Sequence, residues 1–203
     1  MKLSKILFII FLCFAAFLQV KAQVADTTTV KYRNKRTWYN VVVKLKDNTL
    51  QTGYMHYYYP YNPEKKVEIL AKGSDNKTTR IIKIKDIESI DYAQMRFVRI
   101  KPTNSPKDFF TRQAYAGKVG LYVISARKSV YVPLLPGVAA IPYVDNDFFL
   151  EKDGIILKLD RENFQGQLLA FVGDNPILAE KIKNKEFKYK DTEIVVSEYN
   201  KLP

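Results

Sequence analysis

Cysteine and histidine are almost missing from this chain of 203 residues, which holds one of each, Cys13 and His56. That scarcity removes whole classes of chemistry. A Ser-His-Asp triad needs an imidazole to take the nucleophile's proton, and only His56 could supply it. No G-x-S-x-G elbow presents a serine to such a base. Zinc wants three or four Cys, His or carboxylate ligands, so no zinc site is expected. Glycine-rich phosphate loops are also missing, and Gly117-Lys118-Val119-Gly120 is only a fragment of one. No catalytic residue, metal or cofactor is therefore assigned. Long apolar runs are scarce too. The longest uncharged one, Ile6 to Leu18, falls short of the about 20 residues that a membrane-spanning helix needs.

That short run has the form of an export signal. Lys2 and Lys5 precede it, and Val20-Lys21-Ala22 offers a small-residue cleavage site before Gln23. Residues 1–22 are read as a signal peptide, with an uncleaved anchor as the alternative. Cys13 has Phe11-Leu12 before it and Phe14 after it rather than small residues, so no lipid anchor is expected. Cleavage after Ala22 would leave no cysteine, hence no disulfide and no thiolate. The expected location is the periplasm, the envelope or the exterior, with no transmembrane span after cleavage.

What is plentiful is positive charge. The formal net charge is +12, and the signal accounts for three of those through Lys2, Lys5 and Lys21. Residues 23–102 hold 16 Lys/Arg against 8 Asp/Glu, whereas residues 103–203 hold 14 against 13. The basic character belongs to the N-terminal half. Such a bias favours anionic partners, with a merely well-solvated basic surface as the plain alternative.

Hydropathy patterning divides the rest. Residues 23–37 are polar and read as a flexible leader. Val41-Val42-Val43-Lys44-Leu45 alternates as a strand, Asp47-Asn48 is turn chemistry, and Thr49 to Tyr59 reads as a second strand around Gly53. Short strands follow at Val67–Ala71, Arg80–Ile84 and Ile87–Tyr92. Closely spaced strands of this kind argue for a small antiparallel barrel or a strongly curved sheet over residues 38–100. Residues 101–107 (KPTNSPK) read as a linker. In residues 108–203, Lys118–Ser125 and Lys128–Val132 are strand-like and Pro133–Pro142 forms an apolar loop. That loop is either tucked on the core or exposed at a contact. Asp147–Leu150 and Ile155–Leu159 then flank a turn at Lys152-Asp153-Gly154.

At the C-terminus the period switches from 2 to 3.6. Asp160 is expected to cap a helix with Phe164, Leu168, Leu169 and Val172 on one face, ending at Gly173. Asp174 or Asn175 caps a second, with Pro176 in its first turn and Ile177, Leu178 and Ile182 inward. Asp191 starts a third, carrying Ile194, Val195 and Tyr199. The fold class is therefore α+β: an N-terminal small antiparallel barrel-like β unit, a second β segment, and short C-terminal helices packed on the sheet.

Two resemblances accompany these patterns. The strand, acidic-Asn turn, mid-strand Gly53 and late Ile87-Glu88-Ser89-Ile90 are similar in order to a small SH3- or Sm-like barrel, over about 55 residues. The second rests on Gly117-Lys118-Val119-Gly120-Leu121-Tyr122, Asn163-Phe164, Asp174-Asn175-Pro176, Glu180-Lys181-Ile182-Lys183, Phe187-Lys188-Tyr189-Lys190-Asp191 and Glu198-Tyr199-Asn200-Lys201. With a signal ending in Lys-Ala-Gln, their order resembles uncharacterised exported proteins of the Bacteroidota, over roughly the last 90 residues. That likeness implies an envelope location and carries no activity.

One stretch invites a binding role. TGYMHYYYPYNPEKK, Thr52 to Lys66, packs five tyrosines and the only histidine into fifteen residues. Strand alternation gives Met55, Tyr57 and Tyr59 one face and Tyr54, His56 and Tyr58 the other. The candidate ligand-binding residues are Tyr61, Lys65, Lys66, Arg80, His56 and Tyr58. Asp145, Asp147, Glu151 and Asp153 could suggest calcium, but the D-x-D-x-D-G spacing is absent and a solvated hairpin is the favoured reading.

The expected function is that of a non-enzymatic exported envelope protein acting by binding or structural interaction. One alternative is a polyanion- or glycan-binding module using the basic half, and another is an envelope hydrolase with unrecognised carboxylates. Partners are an anionic envelope component, a glycan or a protein. Nucleic acid is not expected, because export removes the chain from it.

Overall fold

The computed structural model describes residues 30–32, 36–56, 65–71, 79–130 and 141–202. Eleven strands form one antiparallel sheet: β1 (Val30–Tyr32), β2 (Arg36–Leu45), β3 (Leu50–His56), β4 (Lys66–Ala71), β5 (Thr79–Lys83), β6 (Ile87–Tyr92), β7 (Met95–Ile100), β8 (Phe109–Tyr115), β9 (Gly120–Val130), β10 (Ile141–Lys152) and β11 (Ile155–Lys158). Three helices follow: α1 (Phe164–Val172), α2 (Pro176–Lys183) and α3 (Thr192–Lys201). The α+β class is as the sequence led one to expect. Across the sheet the order is β11-β10-β9-β8-β7-β6-β2-β3-β4-β5, with β1 beside β2.

The N-terminal unit is not a closed barrel. From β6 the order runs through β2, β3 and β4 to β5, and a single 3-10 turn, Ile84–Asp86, leads from β5 back into β6. Among the described residues no ladder joins β5 to β6. Single bonds pin the turn instead: the Ile84 N–H donates to the Lys65 carbonyl, and the Lys46 N–H to the Asp86 carbonyl, each at 3.0 Å. The sheet thus curls on itself and stays open. The curl holds one apolar cluster that includes Val41, Val43, Met55, Val67, Ile69, Ile82, Ile90 and Phe97. A bulge between Lys44 and Leu45 helps the bend.

The expected linker at 101–107 connects strands that pair with each other, β7 and β8, from Arg96↔Gln113 to Ile100↔Phe109. The sheet therefore runs on across it. The loop also covers the outer edge of β11. Thr103 donates to the Ile156 carbonyl through its N–H (2.7 Å) and hydroxyl (2.9 Å), and Asn104 exchanges two bonds of 3.0 Å with the Lys158 backbone. Covering an edge satisfies backbone groups that would otherwise template aggregation. Val30–Tyr32, inside the stretch expected as a leader, pairs with Arg36–Trp38.

The C-terminal half of the sheet is covered on one face by the helices. Val119, Leu121, Val123, Phe148 and Leu150 pack there against Leu168, Phe171, Val172, Leu178, Ile182, Val195 and Val196. The reverse face carries a smaller cluster of Ile100, Tyr122 and Phe149. Alternation along β10 explains why Phe148 and Phe149 serve different cores. Asn175 caps α2, its Oδ1 accepting from the Leu178 N–H at 2.9 Å, and Pro176 opens the first turn. Two helix expectations need correction. Asn163, not Asp160, precedes α1, and Asp160 instead accepts from the Glu162 N–H (2.7 Å) in a turn. Ile177, expected inward, faces solvent at 66% exposed while its successor Leu178 is buried; on α3, Val195 and Tyr199 are buried and Ile194 is exposed. The expected apolar loop Pro133–Pro142 lies mostly outside the described residues, and its last two residues already belong to β10.

Candidate binding surface

Lysines from three separate stretches meet around the 3-10 turn. Lys65 and Lys46 are bonded to it through their backbones, Lys85 is part of it, and Lys83 precedes it and pairs in register with Lys66. The side chains of Lys46, Lys65, Lys66, Lys83 and Lys85 are all exposed. Among the described residues, the acids within three positions of these lysines along the chain are Asp47, Glu68, Asp86 and Glu88. Among the described residues, Lys66 alone of the five forms an ion pair, with Glu68 at 3.3 Å. Asp47 turns inward to its own loop, its Oδ1 accepting from the Thr49 N–H at 2.9 Å, which holds its carboxyl below the usual range. A concentration of like charge costs self-repulsion, and it draws counter-ions or an anionic ligand.

The residues singled out from sequence fall unevenly about this rim. Lys65 and Lys66 belong to it. His56 ends β3, pairs in register with Trp38 and meets its ring edge-on at 6.1 Å. It shares the outward side of the curl with Lys66, because Met55 opposite Ile69 takes the core side. Arg80 pairs with Ile69 and so belongs to the core side, exposed at the edge of the sheet. Lys66 and Arg80 thus occupy opposite faces. Tyr58 and Tyr61 lie outside the described residues. Sequence reasoning missed Lys46, Lys83 and Lys85. They flank turns rather than forming a run, and only the return of β5 to β6 brings them together.

A second feature is a concave, polar cavity of about 220 Å³ lined by Gln113, Gly117, Lys118, Gly120, Glu151, Lys152 and Asp153. Any hydrolase would have to draw its carboxylates from such a place. Glu151, however, accepts a hydrogen bond from the Tyr122 hydroxyl. Burial, and then this bond, push the Tyr122 phenol up. Lys152 is turned to the Phe171 carbonyl (2.7 Å), the Tyr199 hydroxyl (3.1 Å) and Asp174 (3.2 Å). These bonds tie the hairpin to the helices, and the space is smaller than most small-molecule pockets, which start at about 300 Å³.

The acidic run on β10 is likewise engaged. The strand is continuous from Ile141 to Lys152, which puts Asp145 on the same face as Asp147. Asp145 binds Lys128 and Arg161 (2.6 Å to the latter), and Asp147 binds Lys158 at 3.0 Å. Among the described residues no group of three or more His, Cys, Asp or Glu is placed to hold a metal ion. Comparison with known proteins finds no matching family model, no similar curated protein and no similar solved structure.

Proposed function

We propose that this chain is a non-enzymatic, exported protein of the cell envelope that acts by binding, and that its ligand is an anionic envelope component met by the lysine rim. The observation that carries this is the convergence of Lys46, Lys65, Lys66, Lys83 and Lys85 on one 3-10 turn, with a single ion pair to them among the described residues. The charge bias of the N-terminal half supports it, since 16 cations against 8 anions leave an excess there. Outward aromatics on the same side of the curl, Trp38 and His56, suit the apolar face of a sugar ring beside the charge. Location in the envelope follows from the signal-like N-terminus and from the resemblance to exported proteins.

The test is fluorescence anisotropy of a labelled sulfated oligosaccharide with the chain from Gln23 to Pro203, across a salt series. Expected is binding that weakens steadily with salt, as counterion release requires, and a loss of at least about tenfold in K83E/K85E. Salt-insensitive binding, or binding unchanged by the double variant, would remove the rim as the site.

A further inference from the structure

Two strands outrun the sheet. The register Arg112↔Val123 places the first residue of β8, Phe109, level with Ala126. Past that row, among the described residues, β9 and β10 pair only with each other, through Arg127↔Val144, Lys128↔Tyr143, Ser129↔Pro142 and Val130↔Ile141. β11 pairs only with Phe149–Lys152, so no described strand pairs with the other side of β10 there either. A two-stranded ribbon on its own is marginal in water. This one also exposes apolar residues on both faces. Val130 is 50% exposed and Tyr143 42%, on the side of the reverse-face cluster, and Val144 is 44% exposed on the helix side. From Val130 to Val144 the sequence carries no charge at all, and cations return at the base with Arg127 and Lys128.

The arrangement discriminates among occupants. A protein groove would cover one face of the ribbon. A second copy joined edge to edge would pair the backbone and leave both apolar faces wet. A lipid interface surrounds the ribbon and covers both, with tyrosine at the headgroup level and Arg127 among the phosphates. The lysine rim lies at the same end of the strands. Leu45 is opposite Ile87, Ile87 is level with Ile100, and Ile100 is opposite Phe109, where the ribbon leaves the sheet. Lys46 follows Leu45 directly, and the turn bearing Lys85 immediately precedes Ile87.

We propose that this end of the sheet docks on an anionic lipid bilayer, the β9–β10 ribbon entering the interface and the rim lysines meeting headgroup phosphates. This rests on the anionic-ligand function above and names its source. Each cation near such a surface adds to attraction that salt screens, whereas the apolar ribbon holds in salt.

The experiment is co-sedimentation of residues 23–203 with neutral phosphatidylcholine vesicles and with vesicles containing anionic phosphatidylglycerol, beside the soluble oligosaccharide. Every described element lies within this span. Expected is partition at least tenfold stronger onto anionic vesicles. V130D/V144D should cut it about tenfold at unchanged melting temperature, and K83E/K85E should erase the preference for anionic lipid. A fluorophore on S129C should shift to the blue with vesicles, reporting entry of the ribbon independently of affinity. No partition onto either vesicle, with oligosaccharide binding intact, overturns the membrane inference and leaves the function standing. Failure of both ligands overturns both. Anionic partition unchanged by V130D/V144D, with no shift at position 129, overturns the role of the ribbon.

Discussion

The Arg99 guanidinium on β7 donates to the carbonyl of Ile84 at 2.5 Å and also to that of Ile87, at 3.0 and 3.2 Å. The first carbonyl opens the 3-10 turn that returns β5 to β6 and the second belongs to the first residue of β6, so one side chain spans the turn where no ladder closes it. The same group lies 6.0 Å over the Phe110 ring. Replacing it, R99A, removes the charged donor from two carbonyls, of which that of Ile84 keeps only the Ile87 N–H, and is expected to cost about 2 kcal/mol, within the range for hydrogen bonds to charged groups. R99K should recover less than half, because an ammonium lacks the fork that spans two acceptors. Urea unfolding monitored by circular dichroism checks both, and a midpoint unmoved by R99A would show the turn to be held without the clamp.

Gly53 on β3 lies opposite Ala71, the last residue of β4. A Cβ there would sit 2.3 Å from the Leu70 carbonyl oxygen and 2.5 Å from Ile69 Cγ2, so the backbone of β4 would have to move. G53A is expected to destabilise by about 2 kcal/mol through overpacking. G154A is the contrast. Its Cβ meets nothing within 4 Å, and the cost is the left-handed φ of +77°, about 1 kcal/mol. If the two variants unfold at the same urea concentration, the close approach at Gly53 is not a constraint.

At the base of the ribbon Asp145 accepts from Lys128 and from Arg161, bonds that hold its carboxyl below the usual range. An unfolded aspartate titrates near about 3.9. The stabilisation from this pairing is therefore complete above about pH 4 and disappears as pH falls through the depressed folded value. Asp47 and Asp174 are also held low and titrate in the same window, so the variant D145N isolates one contribution. Thermal melts at pH 6, 4 and 2.5 should show a smaller loss between the last two in D145N than in the parent. Equal losses would mean that the pairs at Asp145 add nothing to stability.

Much of the fold was legible where local chemistry and tertiary outcome agree. Asn175-Pro176 announces α2, and Asp153-Gly154 announces the hairpin that both residues make at positive φ. The β6–β7 hairpin escaped because its turn uses Ala93 and Gln94, at φ 48° and 63°, where sequence rules look for Asn-Gly. With β7 unseen, KPTNSPK read as a linker instead of the loop joining paired strands. Ile177 stands one residue before the buried position, and a 3.6 period across so few residues cannot choose between neighbours. The rim was half legible. Lys65-Lys66 is a visible pair, but Lys46 and Lys85 meet it only through a turn whose partners are about 20 and 40 residues apart, a closure set by the core and not by local preference.

The last helix is tied to the sheet by a side chain acting as a strand. Asn200 on α3 accepts from the Val119 N–H at 2.9 Å and donates to the Val119 carbonyl at 2.8 Å, reproducing the two bonds of a paired residue just before β9 begins. Gly117 gives it room, since a Cβ there would come within 2.8 Å of the amide. The short α3 depends on packing more than on its own propensity, so this bond pair fixes its register against Val195, Val196 and Tyr199. N200A strands both backbone groups of Val119 beside a buried side chain and is expected to cost about 2 kcal/mol. N200D keeps the acceptor but sets a carboxylate against the Val119 carbonyl, so it should be at least as damaging at pH 7. Lowering the pH to about 4 should protonate a fraction of that carboxyl and restore a donor. The measurement is urea unfolding of N200D at both pH values against the parent. A deficit of N200D relative to the parent that is no smaller at pH 4 than at pH 7 would show that Asn200 does not act as the donor to Val119.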